Sequence, residues 1–187
     1  MGDVPVNWLH TMFVLVTAFL AVFWEAAFSG WRHLIGAQID LLPALMVYAS
    51  LCAGITTAAL LAVLGGLWFD SLSANPLGVS VLPLFVIGLV IHAKRDLILR
   101  DQTFAQAVLG FAASAAVPLL TILLLLTMRH TPLLGWGTLW QLIVMSVGGA
   151  IATPICFELF GWLDRTLVHP RAAQISFRTD REIRRRR

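Results

Sequence analysis

Four ionisable side chains fall within or at the ends of apolar stretches of this sequence: Glu25, Asp70, His92 and Glu158. Carboxyl and imidazole groups in a hydrophobic layer are the usual carriers of proton transfer and ion or substrate recognition. An unpaired charge near a bilayer centre costs at least about 2.5 kcal/mol, so its presence is by default a functional signal. A proton relay needs a chain of neighbouring partners, and these four residues are divided between opposite ends of their stretches. Glu25 lies about one turn from the end of the first stretch, within reach of Arg32 or water, and Glu158 lies similarly placed in the last one, near Arg165. His92 precedes Lys94 and Arg95 by less than a turn, a position for snorkelling or for bonding a backbone carbonyl. Asp70 ends its stretch just before the 71–78 loop, whose turn its carboxylate can order by accepting backbone N–H bonds.

Nucleophilic, metal and nucleotide chemistry find no motif. The sequence contains no G-x-S-x-G, no H-E-x-x-H and no Walker lysine motif, and its five histidines are scattered. Cys52 and Cys156 have no C-x-x-C spacing and read as small apolar residues. An enzyme would need two buried carboxyls side by side, whereas the topology below separates Glu25 from Glu158. The expectation is a noncatalytic protein without cofactor or metal.

The elements that must position these residues are membrane helices. Apolar residues make up 59% of the chain, charged ones 12%, and the mean hydropathy is +0.85, far above that of soluble domains. A hydrocarbon core about 30 Å thick takes about 20 apolar residues per helix. Apolar runs and their punctuation place spans at 8–28, 39–52, 55–70, 77–92, 103–127 and 136–162. The chain thus reads as an all-α integral membrane protein, about six helices in one bundle over 1–164, followed by a basic tail at 165–187. Residues 39–70 as one straight helix would be about 46 Å long, so a hinge is expected at Ala53-Gly54.

Lys94, Arg95 and Arg100 sit in one loop, and the cation-rich tail follows the last span, which places both in the cytoplasm. An even number of spans then puts the N-terminus inside as well. Trp8 and Trp162 fall at inner ends and Trp31, Trp68 and Trp136 at outer ends, the headgroup levels that indole prefers. The first span lacks the basic flank of a cleaved signal peptide. The arginine-rich tail fixes topology and can attract anionic lipid; nucleic acid is not expected, because no folded module accompanies it. Small residues let helices approach closely in lipid. They recur at Ala58-x-x-x-Ala62 with Gly65 and Gly66, at Ala112-x-x-x-Ala116 with Gly110 and Ser114, and at Gly148-x-x-x-Ala152 with Gly149. Spacing alone leaves open whether these faces pack within the bundle or against another protein. Pro118 and Pro154 interrupt the hydrogen bonding of the last two spans.

The run Gly65-Gly66-Leu67-Trp68-Phe69-Asp70-Ser71-Leu72-Ser73, with Pro76-Leu77-Gly78-Val79 and a basic linker after the next helix, resembles the rod shape-determining MreD family. The resemblance covers most of the chain in its order of spans, short loops and basic C-terminus, and its firmest matches are Asp70, Leu77 and Gly78. It departs at Ile39-Asp40, where the family's proline is replaced by Pro43 a turn later. The resemblance implies a multi-pass subunit of the bacterial inner membrane that holds MreC and works beside RodA, its class B penicillin-binding transpeptidase and cytoplasmic MreB. Asp70, Pro76, Leu77, Gly78, Gly65 and Gly66 are its candidate structural or partner-binding residues. The family also resembles the substrate-binding S-components of energy-coupling-factor vitamin transporters, which supplies the rival expectation. A transporter subunit would need an outward cavity, for which Glu25, Arg32, His33, Asp70, Arg129 and His130 are the candidates.

Overall fold

The structure, a computed structural model, describes residues 8–27, 36–73, 76–95, 98, 102–128 and 135–167, with side chains described through 163. Among these residues the chain is all-helical: α1 (Trp8–Ala27), α2 (Leu42–Tyr48), α3 (Ile55–Leu72), α4 (Val81–Ala93), α5 (Thr103–Thr127) and α6 (Trp136–Leu167). Four of its helices are long and apolar enough to cross a membrane: Trp8–Ala27, Ile55–Leu72, Thr103–Thr127 and Trp136–Leu163. Two shorter apolar helices, Leu42–Ala53 and Val81–Ala93, accompany them. By packing, Met1–Cys156 forms one compact unit, and Phe157–Arg187 is a second, whose described part is the last turns of α6.

Helix α1 shows how the first unit partitions its surfaces. Thr11, Val14, Ala18 and Val22 are buried and recur every three or four residues, one stripe of the 3.6-residue period. Phe13, Val16, Phe19, Leu20 and Phe23, on the other faces, are exposed, as an apolar solvent permits. The buried stripe lies on α3, where the Thr11 and Thr57 hydroxyls are 2.9 Å apart. Phe19 meets Trp68 edge to face at 5.1 Å between ring centroids.

The hinge expected at Ala53-Gly54 is present. Helix α2 widens into a π turn over Ala49–Ala53, and Gly54 then breaks the chain at φ 95°, a conformation open to glycine but strained for other residues. A Cβ there would have free space, so the backbone angle alone selects glycine. The Gly54 N–H bonds to the Ala49 carbonyl at 3.1 Å. The Ser50 carbonyl, which the break leaves without the following turn, accepts from His92 Nδ1 of α4 at 3.0 Å. His92 therefore carries its proton on Nδ1 and serves to close the hinge.

The boundaries differ from the expected spans at two starts. The second apolar segment becomes helical at Leu42 rather than 39, with Pro43 tolerated in the first turn, where its missing N–H is not needed. The fourth becomes helical at Val81 rather than 77, because Gly78 adopts φ 89° and ends any helical run. Helix α3 extends to Leu72 and α6 to Leu167, past the expected 70 and 162. Both α5 and α6 continue through Pro118 and Pro154.

The small-residue faces pack within the first unit. Ala58, Ala62, Gly65 and Gly66 are all buried in α3. On α5 the packed face is Gly110, Ala113, Ser114 and Val117, whereas Ala112 is exposed. Of the small residues expected to pack, Gly110 and Ser114 do and Ala112 does not: at about 100° per residue, Ala112 is turned some 200° from Gly110. Gly110 and Ser114 face Gly149 and Thr153 of α6 so closely that a Cβ on either glycine would strike the partner helix.

Candidate functional site

The corner between α3 and α4 is built by the residues of the resemblance motif. Asp70 is 1% exposed, and its Oδ2 accepts from the N–H groups of Gly78 at 2.8 Å and Ser80 at 3.0 Å. Ser80 is the N-cap of α4 and uses no side chain of its own for capping, so the carboxylate from the end of α3 supplies the acceptor. A negative charge is unfavourable at the C-terminus of its own helix and favourable at the N-terminus of the next, so Asp70 ties the two ends together. Its Oδ1 is buried and has no hydrogen-bond partner among the described residues.

The glycines let the two helices meet. A Cβ on Gly66 would lie 2.9 Å from Val81 Cα and 3.0 Å from Val81 N, which are backbone atoms that cannot turn aside. A Cβ on Gly65 would lie 2.9 Å from Leu42 Cδ1, the mobile end of a side chain. Pro76 and Leu77 are exposed at the tip of the corner, and Gly78 supplies the left-handed turn that brings Ser80 back to Asp70. All six candidate residues thus belong to one corner or its immediate packing.

Two further carboxyls serve the start of α2 in the same way. Glu25 Oε1 accepts from the Leu41 N–H at 2.7 Å, and Asp40 Oδ1 accepts from the Leu42 N–H at 2.9 Å. Acceptance of consecutive amides brings the two carboxyls into one neighbourhood. Glu25 thus holds backbone; Arg32, the partner expected for it, and His33 lie outside the described residues, as do Arg129 and His130. Glu25 Oε2 is buried without a hydrogen-bond partner among the described residues. Glu158, in the second unit, is exposed.

A cavity of about 370 Å³ opens beside these two helix starts. Its polar wall includes Gln38, Asp40, Ser80, Thr121 and Gln141, and its apolar wall includes Phe69, Leu84, Val117 and Met145. The 36–41 segment is held in place by Gln141, whose Oε1 accepts from the Gln38 N–H at 3.1 Å while its Nε2 donates to the Gln38 carbonyl at 3.0 Å. Of the polar groups expected to line an outward cavity, Glu25 and Asp70 are not among these residues, and the other four lie outside the described residues. Gln38, Thr121 and Gln141 carry no charge and so escape a search for ionisable residues. Asp40 carried a signal, as an acidic residue beside an apolar run, but it had been read only as a departure from a family motif. Among the described residues no group of three or more histidine, cysteine, aspartate or glutamate side chains is placed to hold a metal ion.

Among the described residues these features define an all-helical protein with four helices of membrane-crossing length and polarity, in which carboxyls cap the starts of α2 and α4. No family model, curated protein or solved structure matches the chain.

Proposed function

We propose that this chain is a noncatalytic subunit of the bacterial cell-elongation machinery, embedded in the cytoplasmic membrane. In this reading it holds MreC, alongside RodA and its class B penicillin-binding transpeptidase, with MreB on the cytoplasmic face. The observation that carries the reading is the interlocked α3–α4 corner: the residues of the MreD resemblance, Gly66, Asp70 and Gly78, are the ones that make it, through a backbone-to-backbone approach and two charge-assisted bonds.

Six membrane crossings with both termini in the cytoplasm fit this role. The short helices Leu42–Ala53 and Val81–Ala93 count as crossings completed by non-helical backbone at their starts. Such backbone is tolerated at membrane depth only when buried in protein and hydrogen-bonded, the service that Glu25, Asp40 and Asp70 perform. Depletion of the protein from a rod-shaped host is expected to give rounded cells within a few generations. Rods of normal width under complete depletion would remove the reading.

One observation favours a second reading, the substrate-binding subunit of a vitamin uptake transporter: the cavity combines convergent polar groups with an apolar wall, the usual composition of a small-molecule site. The two readings predict different companions in the membrane.

A further inference from the structure

We infer that the cavity between the α2 and α4 starts and helices α5 and α6 is a binding site for a small organic cation, an ammonium group on a short apolar body, with Asp40 as its anchor. The inference stands whichever of the two readings above holds, since it rests on the cavity alone.

Size comes first: about 370 Å³ is at the lower end of the range for small-molecule sites and suits a compact ligand. Charge comes second. Asp40 is 4% exposed and is the one charged residue among the described residues of the lining. Glu25 stands next to it, held to the adjacent amide, so two carboxyls share one buried neighbourhood and no cation among the described residues is bonded to either. Asp40 faces the cavity, so a positive charge that enters there meets a carboxyl with no cation bonded to it among the described residues.

The hydrogen-bonding inventory gives the third constraint. The Thr121 hydroxyl spends its proton on the Val117 carbonyl at 2.9 Å, which leaves only oxygen lone pairs to offer. Gln141 has committed its carbonyl and one N–H to Gln38. Asp40 is the strongest acceptor in the wall, and a group with several N–H donors complements it. An ammonium group fulfils that description, and Phe69, Leu84, Val117 and Met145 give its apolar body a surface.

The test uses the full chain in lipid nanodiscs and titrates it calorimetrically with butylammonium and phenethylammonium, against their neutral alcohol and anionic carboxylate analogues. The expected result is saturable one-to-one binding of at least one ammonium probe, with the alcohol and carboxylate at least tenfold weaker. Asp40→Asn keeps an oxygen to accept from Leu42 and is expected to weaken ammonium binding at least tenfold while melting as the parent does. Val117→Phe fills the cavity from its apolar side and is expected to abolish binding with the charge still in place. Binding that is equal for the three probe charges, or unchanged in both variants, would be bilayer partitioning and would overturn the site. Absence of saturable binding by either ammonium probe would overturn it as well.

Discussion

Asp70→Leu is expected to lower the stability of the protein in mild detergent by about 2–4 kcal/mol, because the N–H groups of Gly78 and Ser80 lose their acceptor and each buried donor left unpaired costs about 1–3 kcal/mol. Leucine shares the branch point at Cγ but its methyls are bulkier than carboxylate oxygens, so part of the loss is overpacking of a buried position. Asp70→Asn keeps an oxygen in the Oδ2 position and is expected to retain most of the stability. It also places an amide nitrogen where Oδ1 has no partner among the described residues. The comparison, read as thermal midpoints of the two variants and the parent, separates acceptor geometry from charge. If leucine melts with the parent, the corner does not depend on Asp70. If asparagine falls as far as leucine, the attraction of a full negative charge to the start of α4 is the dominant effect. On the proposed function, the leucine variant also fails to restore rod shape in a depleted host.

The other large effect is expected at the crossing of α5 and α6. A Cβ on Gly149 would run into the Ser114 hydroxyl and lie 2.9 Å from the Gly110 carbonyl oxygen, and one on Gly110 would run into Thr153 and the Gly149 carbonyl. Backbone oxygens cannot rotate away, so even one methyl forces the helices apart, and Gly149→Leu is expected to cost at least about 3 kcal/mol, the upper end for overpacked cores. Ala112→Leu adds one carbon less to an exposed face of α5 and is expected to change the melting temperature little. Equal melting of the two variants would mean that the helices do not cross at Gly149. Association in lipid rests on close packing because lipid tails already solvate apolar side chains, which is why the small residues carry so much of the energy here.

The apolar segments were legible in the sequence because their lengths and punctuation are local properties. Gly54 could be recognised as the hinge from two apolar runs that are too long together. Asp70 could be recognised as a turn-ordering residue because its partners, Gly78 and Ser80, are eight and ten residues away on the same loop. What escaped depends on distant parts of the chain meeting. Gln38 and Gln141 are 103 residues apart, and nothing in either neighbourhood announces the other. On α5 the alanines at 112 and 116 satisfy a small-residue spacing as well as Gly110 and Ser114 do, and only the position of α6 selects the second pair. The partnership of Glu25 with the 40–42 turn was equally hidden, since a nearby arginine is the obvious partner for a glutamate in sequence, while an orphan helix N–H is visible only in three dimensions.

One device recurs through these details. Glu25, Asp40 and Asp70 each spend a carboxylate oxygen on backbone N–H groups at the starts of the two short helices. A helix start leaves backbone N–H groups without an intrahelical acceptor, and these three carboxyls satisfy some of them at the two short helices. That use leaves Asp40 facing a cavity and leaves the α3–α4 corner as a rigid surface with Pro76 and Leu77 exposed at its tip.

The most direct test of the central claim is affinity purification of the tagged chain from its own host in mild detergent, with the copurifying proteins identified by mass spectrometry. The account predicts recovery of a bitopic MreC-type protein together with cell-wall synthases, and loss of that recovery in the Asp70→Leu variant at equal protein level. Recovery of paired ATPases with a coupling membrane subunit, and no MreC-type partner, would contradict it and assign the chain to vitamin uptake instead.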